Sequence, residues 1–76
     1  MKELVEVIAK ALVEHPDEVV VEETKNGDDY VISLHVASSD MGKVIGKQGR
    51  IAKSIRSVVK AAASRENARA DVEIND

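Results

Sequence analysis

Gly46 and Gly49 stand three residues apart and enclose Lys47 and Gln48, with Lys43 before them and Arg50 and Lys53 after them. Glycine has no Cβ, so a backbone built on this pair admits close approach by another molecule. A helix starting just past Gly49 aims unpaired N–H groups and the positive end of its dipole at that corner, which suits phosphate. Val44, Ile45 and Ile51 supply an apolar surface beside it, part facing the core and part flooring a groove, with Asp40-Met41-Gly42 leading in. The chemistry on offer is anion binding at backbone level next to an apolar surface. A polynucleotide strand, with phosphates outside and flat bases inside, has both complements.

Other chemistries fit less well. Gly42-x-x-x-Gly46-Lys47 falls one residue short of a nucleotide-binding P-loop, and Gln48 stands where that loop needs a Ser or Thr for magnesium. The chain has no cysteine, which removes disulfides, thiolate metal sites and cysteine nucleophiles. His15 and His35 are far apart and lack ligand spacing, so no metal site is expected. No serine–histidine–acid constellation can be placed, and Ser38, Ser39 and Ser54 read as caps or small helix-face residues. An enzyme is therefore not expected, nor a cofactor or small-molecule substrate.

Charge points the same way. Net charge is −3, which alone argues against nucleic acid, but the average conceals segregation. Residues 1–39 carry three bases against nine acids, residues 40–66 seven bases against two acids, and residues 67–76 one base against three acids. A basic block in an acidic chain marks one face for an anion. The competing explanation is a solvated cationic helix face.

The elements that must position the corner follow from periodicity. Leu4, Val5, Ile8 and Leu12 recur at helical spacing, giving an amphipathic helix over 2–14 that Pro16 ends. Val19 to Val21 open a strand over 18–25, Asn26-Gly27 form a two-residue hairpin corner, and Tyr30, Ile32, Leu34 and Val36 alternate along a second strand. Ser38-Ser39-Asp40 offer N-caps for a short helix over 41–45. Ile51, Ile55, Val58, Val59 and Ala62 form the apolar stripe of a helix over 50–64, with Lys53, Arg56 and Lys60 on another face. Ala70, Val72 and Ile74 mark a last strand. The order α-β-β-α-α-β predicts a two-layer α+β domain over residues 1–76, with a three-stranded mixed sheet and its helices on one face. At 76 residues the core is small, so an interface between copies is expected to help it. No stretch is apolar enough to span a membrane, the start does not read as a signal peptide, and a cytoplasmic location is the default expectation.

Gly46-Lys47-Gln48-Gly49 between two helices resembles the GxxG loop of KH domains, which clamps about four nucleotides of a single strand. The wider frame, Val44-Ile45-Gly46-x-x-Gly49-x-x-Ala52-x-x-Ile55, is similar to the KH core, and the element order to the type II, bacterial arrangement. The resemblance covers the whole chain and is nearest to the small single-KH-domain, KhpA-like RNA-binding proteins of bacteria. It implies a non-catalytic RNA-binding protein, an RNA chaperone or post-transcriptional regulator. Gly46, Lys47, Gln48 and Gly49 would hold the sugar-phosphate backbone. Gly42, Lys43, Ile45, Arg50 and Lys53 would line the groove, the last strand would form its other wall, and Arg65 to Arg69 the variable loop. Partners implied are single-stranded RNA or single-stranded DNA and, as a dimer, a second copy or a larger KhpB (Jag-like) KH protein. The alternative is an interaction module whose KH surface serves assembly. Tyr30 is the sole aromatic residue and lies off the loop, so base stacking is not expected in the groove and binding would be weak and salt-sensitive.

Overall fold

A computed structural model describes all 76 residues. Helix α1 spans Lys2–Leu12, strands β1 and β2 span Val20–Asn26 and Asp29–His35, α2 spans Met41–Ile45, α3 spans Arg50–Arg65, and β3 spans Arg69–Asn75. Short 3-10 turns occupy Pro16–Glu18, Ser38–Asp40 and Lys47–Gly49. The sheet order is β1-β2-β3, with β1 antiparallel to β2 and β2 parallel to β3. The expected two-layer α+β architecture is thus the observed one.

Alternation places Val21, Ile32, Leu34, Ala70 and Val72 on the face that meets the helices, where they are buried. Val5 and Ala9 of α1, Val44 of α2, and Ile55, Val59 and Ala63 of α3 complete the core. Helix α1 packs over β1 and α3 over β3. The opposite sheet face is uncovered and polar: Glu22, Ser33 and Glu73 lie abreast across the three strands, with the Ser33 hydroxyl donating to Glu73 at 3.2 Å.

Several boundaries differ from the sequence expectation. The first helix stops at Leu12, and the chain passes through the Pro16–Glu18 turn before β1 begins at Val20. The hairpin corner is Gly27-Asp28, because Asn26 still pairs with Asp29 and the Asp28 carbonyl accepts the Arg69 N–H at the start of β3. The parallel strand therefore holds the corner one residue later. The buried stripe of α3 is Ala52, Ile55, Val59 and Ala63, while Val58 is 42% exposed. Two alanines let the helix sit close to the sheet, which rotates the larger Val58 out.

Capping also departs from the local reading. Ser38, Ser39 and Asp40 make no side-chain cap hydrogen bonds to the turn and helix they precede. Asp40 is instead buried, at 1% exposure, and accepts the N–H groups of Glu14 and His15 at 3.1 and 3.0 Å. It straps the segment after α1 to the start of α2. Likewise the first turn of α1 is served by a distant residue, since Glu23 of β1 accepts the Lys2 N–H at 3.0 Å.

Candidate nucleic-acid interface

Helix α2 ends because Gly46 adopts φ 76°, ψ 174°, a region that essentially only glycine enters. Its position is also sterically closed: a Cβ there would stand 2.6 Å from Cγ1 of Ile51. Gly46 is thus the point where the loop folds against the first turn of α3. Gln48 (φ 57°, ψ 25°) and Gly49 (φ 73°, ψ 15°) then follow in the left-handed region and aim the chain into α3. A Cβ at Gly49 would meet nothing within 4 Å. Of the two glycines, Gly49 leaves open space, and Gly46 serves packing.

The sequence points to unpaired amides at Gly49 and the helix start; the turn redistributes them. The Gly49 N–H donates to the Gly46 carbonyl at 3.1 Å and the Arg50 N–H to the Lys47 carbonyl. The N–H groups of Lys47 and Gln48 donate to no protein group. Both residues are exposed, so two consecutive free amides stand at the tip of the corner. Arg50 donates to the Gln48 side-chain oxygen at 3.1 Å, which draws its guanidinium over the loop.

Gly42, Lys43 and Ile45 lie on α2, where Ile45 packs partly against the core. Lys43 is the one cation of this region already engaged, with Nζ 3.5 Å from Glu14 Oε1. Lys47, Arg50, Lys53, Arg56 and Lys60 take part in no ion pair and are exposed. These five charges run from the loop along the face of α3 that looks towards β3. The absence of carboxylate partners distinguishes this face from an ordinary salt-bridge-laced helix.

Arg56 and Lys60 were outside the set that the loop motif picks out. Their spacing with Lys53 was the available signal, and the structure adds where that row points: Arg56 Nε donates to the Val72 carbonyl of β3 at 3.3 Å. The groove between the corner, α3 and β3 is therefore cationic along one wall and backbone-lined along the other.

The family model described as the KhpA/KhpB KH domain matches residues 2–74. The chain belongs to the KhpA/KhpB KH-domain family. It is 61% identical over 74 residues to a protein of Clostridium acetobutylicum named RNA-binding protein KhpA, covering 97% of this chain and 99% of that one. A protein of the same name in Halalkalibacterium halodurans is 57% identical over 76 residues, the full length of both. Its namesake in Listeria monocytogenes is 45% identical over 74 residues, covering 97% of each. Among solved structures, Era in complex with MgGDPNP and nucleotides 1506–1542 of 16S ribosomal RNA is similar with a TM-score of 0.57 and 21% identity. That likeness covers 97% of this chain and 28% of Era, and it shows the KH-type fold. The GxxG frame of this family member is thus Val44 to Ile55, on α2, the loop and α3.

Proposed function

We propose that this KH domain is a non-catalytic RNA-binding protein of the cytoplasm that clamps single-stranded RNA at the Gly46–Gly49 corner. The observation that carries the reading is the corner itself. Two free amides and an unfilled Cβ site at Gly49 lie at the head of a row of unpaired cations, in a chain matched to the family over its length. Phosphates meet the amides of Lys47 and Gln48 and the charges of Lys47, Arg50 and Lys53. Bases turn into the groove beside Ile45 and α3. RNA-binding proteins named in the family support RNA as the ligand. The action is that of an RNA chaperone or post-transcriptional regulator.

The protein acts as a dimer, with a second copy or a KhpB-like KH protein. What supports this is a second, apolar face of α3. Ile51, Ser54, Ile55 and Val58 face Ile8 of α1 across a shallow groove, and Val7 is 69% exposed on the same helix as Ile8. Exposed aliphatic side chains flanking such a groove fit an interface.

The test is fluorescence anisotropy of a labelled RNA oligonucleotide with the Lys47→Asp/Gln48→Asp double variant. Both positions are exposed, so the fold is expected to persist by circular dichroism. RNA affinity is expected to fall by about 100-fold or more, because two carboxylates then face phosphate. Parental affinity is also expected to drop steeply between ~50 and ~200 mM salt, as counterion release requires. Equal affinity of variant and parent would remove the corner from the binding site.

A further inference from the structure

β3 forms one edge of the sheet. Arg69 N–H bonds to the Asp28 carbonyl and the Asn75 carbonyl accepts the Val36 N–H, so the odd-numbered residues of β3 turn their backbone groups towards β2. A strand's backbone groups alternate in direction, so Ala70, Val72 and Ile74 turn their N–H and C=O groups to the free edge. Arg56 reaches that edge from α3 and donates Nε to the Val72 carbonyl.

This contact uses one donor of five. Arg56 takes part in no ion pair, and Nε–H to Val72 is its one protein hydrogen bond, so both terminal nitrogens stay uncommitted. The guanidinium is therefore fixed at its near end and open at its far end. Arg56 lies two helical turns beyond Gly49, roughly 10 Å along α3. A strand gripped at the corner that follows α3 passes directly over it.

A fixed guanidinium presents a fork of donors and no acceptor, and the Val72 N–H beside it is another donor. Its complement is a base edge with two adjacent acceptors: O6 and N7 of guanine, or O2 and N3 of cytosine. Adenine sets its amino group beside each ring acceptor, and uracil sets an N–H between its two carbonyls, so both place a donor against a donor. We infer that Arg56 and the free edge of β3 form a base-reading subsite that favours guanine or cytosine over adenine and uracil. The inference rests on the RNA-binding reading and adds to it a specificity determinant. Lys53 and Lys60, point charges without a planar fork, supply attraction that does not discriminate among bases.

The experiment uses the full chain and a seven-nucleotide uridine RNA whose central residue is replaced in turn by cytidine, guanosine and adenosine. Affinities are read by fluorescence anisotropy at one salt concentration. The parent is expected to bind the cytidine or the guanosine form about tenfold more tightly than the other RNAs. The two arms show which base the subsite takes. Arg56→Lys keeps the charge and loses the fork, so it is expected to hold the all-uridine RNA within about twofold of the parent while its preference disappears. Arg56 is exposed, so the variant's amide spectrum is expected to match the parent's away from α3 and β3. A parent that binds all four RNAs equally, or an Arg56→Lys variant that keeps the preference, would overturn this subsite while leaving the corner intact. A parent that binds none of them would overturn the RNA-binding reading as well.

Discussion

Gly46 and Gly49 share a motif but do different work, and a single methyl group separates them. At Gly46 it would collide with Ile51 and demand a backbone region closed to alanine. At Gly49 it would meet nothing and face only the left-handed cost. Gly46→Ala is therefore expected to cost about 2–4 kcal/mol and Gly49→Ala about 1–2 kcal/mol. In a domain of this size those figures lower the melting temperature by roughly 10–25 °C and 5–10 °C respectively. Thermal denaturation followed by circular dichroism measures both, and equal shifts would mean that Ile51 yields to the added methyl. The loop motif shows both glycines in the sequence. Their division of labour is not legible there, because it depends on where the Ile51 side chain lies after α3 has docked.

At the scale of elements, helices and strands were readable wherever one face is continuously apolar. Ile32, Leu34 and Val36 alternate, and Val5 and Ala9 repeat at helical spacing, so their elements could be placed. What periodicity could not place were contacts made across the chain. The Asp40 strap joins residues 25 and 26 positions apart, and a local reading assigns that aspartate to a helix cap instead. The stripe of α3 was misplaced for a related reason, since alanines that permit close approach look unremarkable beside Val58. The strap has a pH signature. Burial raises the Asp40 carboxyl's pKa, but the amides of Glu14 and His15, helped by the charges of His15 and Lys43, lower it more, leaving it below its usual 3.8. A carboxyl depressed in the folded state contributes stability that is present above the unfolded value and lost as pH falls through the folded one. Asp40→Asn replaces one acceptor with an amide donor facing an N–H, so it is expected to melt at lower temperature at neutral pH. The gap between variant and parent is expected to close as pH drops below 3.8. Melting curves across that range check it, and a gap that stays constant would mean the carboxylate's charge is irrelevant to the strap.

For the whole molecule, α3 partitions its surface into three directions. Ala52, Ile55, Val59 and Ala63 enter the core, Lys53, Arg56 and Lys60 look towards β3, and Ile51 and Val58 look towards α1. A nucleic-acid face and an apolar face can therefore be occupied together, because the helix body lies between them. The uncovered sheet face, with Glu22 and Glu73 upon it, repels phosphate and leaves the α3 side as the electrostatically favoured approach. Charge segregation along the chain is the sequence trace of this arrangement, while the separation of cationic from apolar on one helix appears only once the core stripe is known. It makes the two activities separable by mutation. Val58→Glu puts a charge on the apolar side of α3, at a position already 42% exposed, so the monomer is expected to fold. Sedimentation equilibrium is expected to show the parent as a dimer and the variant as a monomer, since an unpaired carboxylate in an apolar interface is strongly disfavoured. For an RNA long enough to engage two grooves, the monomer is expected to bind about 100-fold more weakly, and for one short enough to fill a single groove the affinities are expected to match. A monomeric parent would remove the dimer from this account, and a variant weakened equally on both RNAs would place Val58 in the RNA groove rather than between subunits.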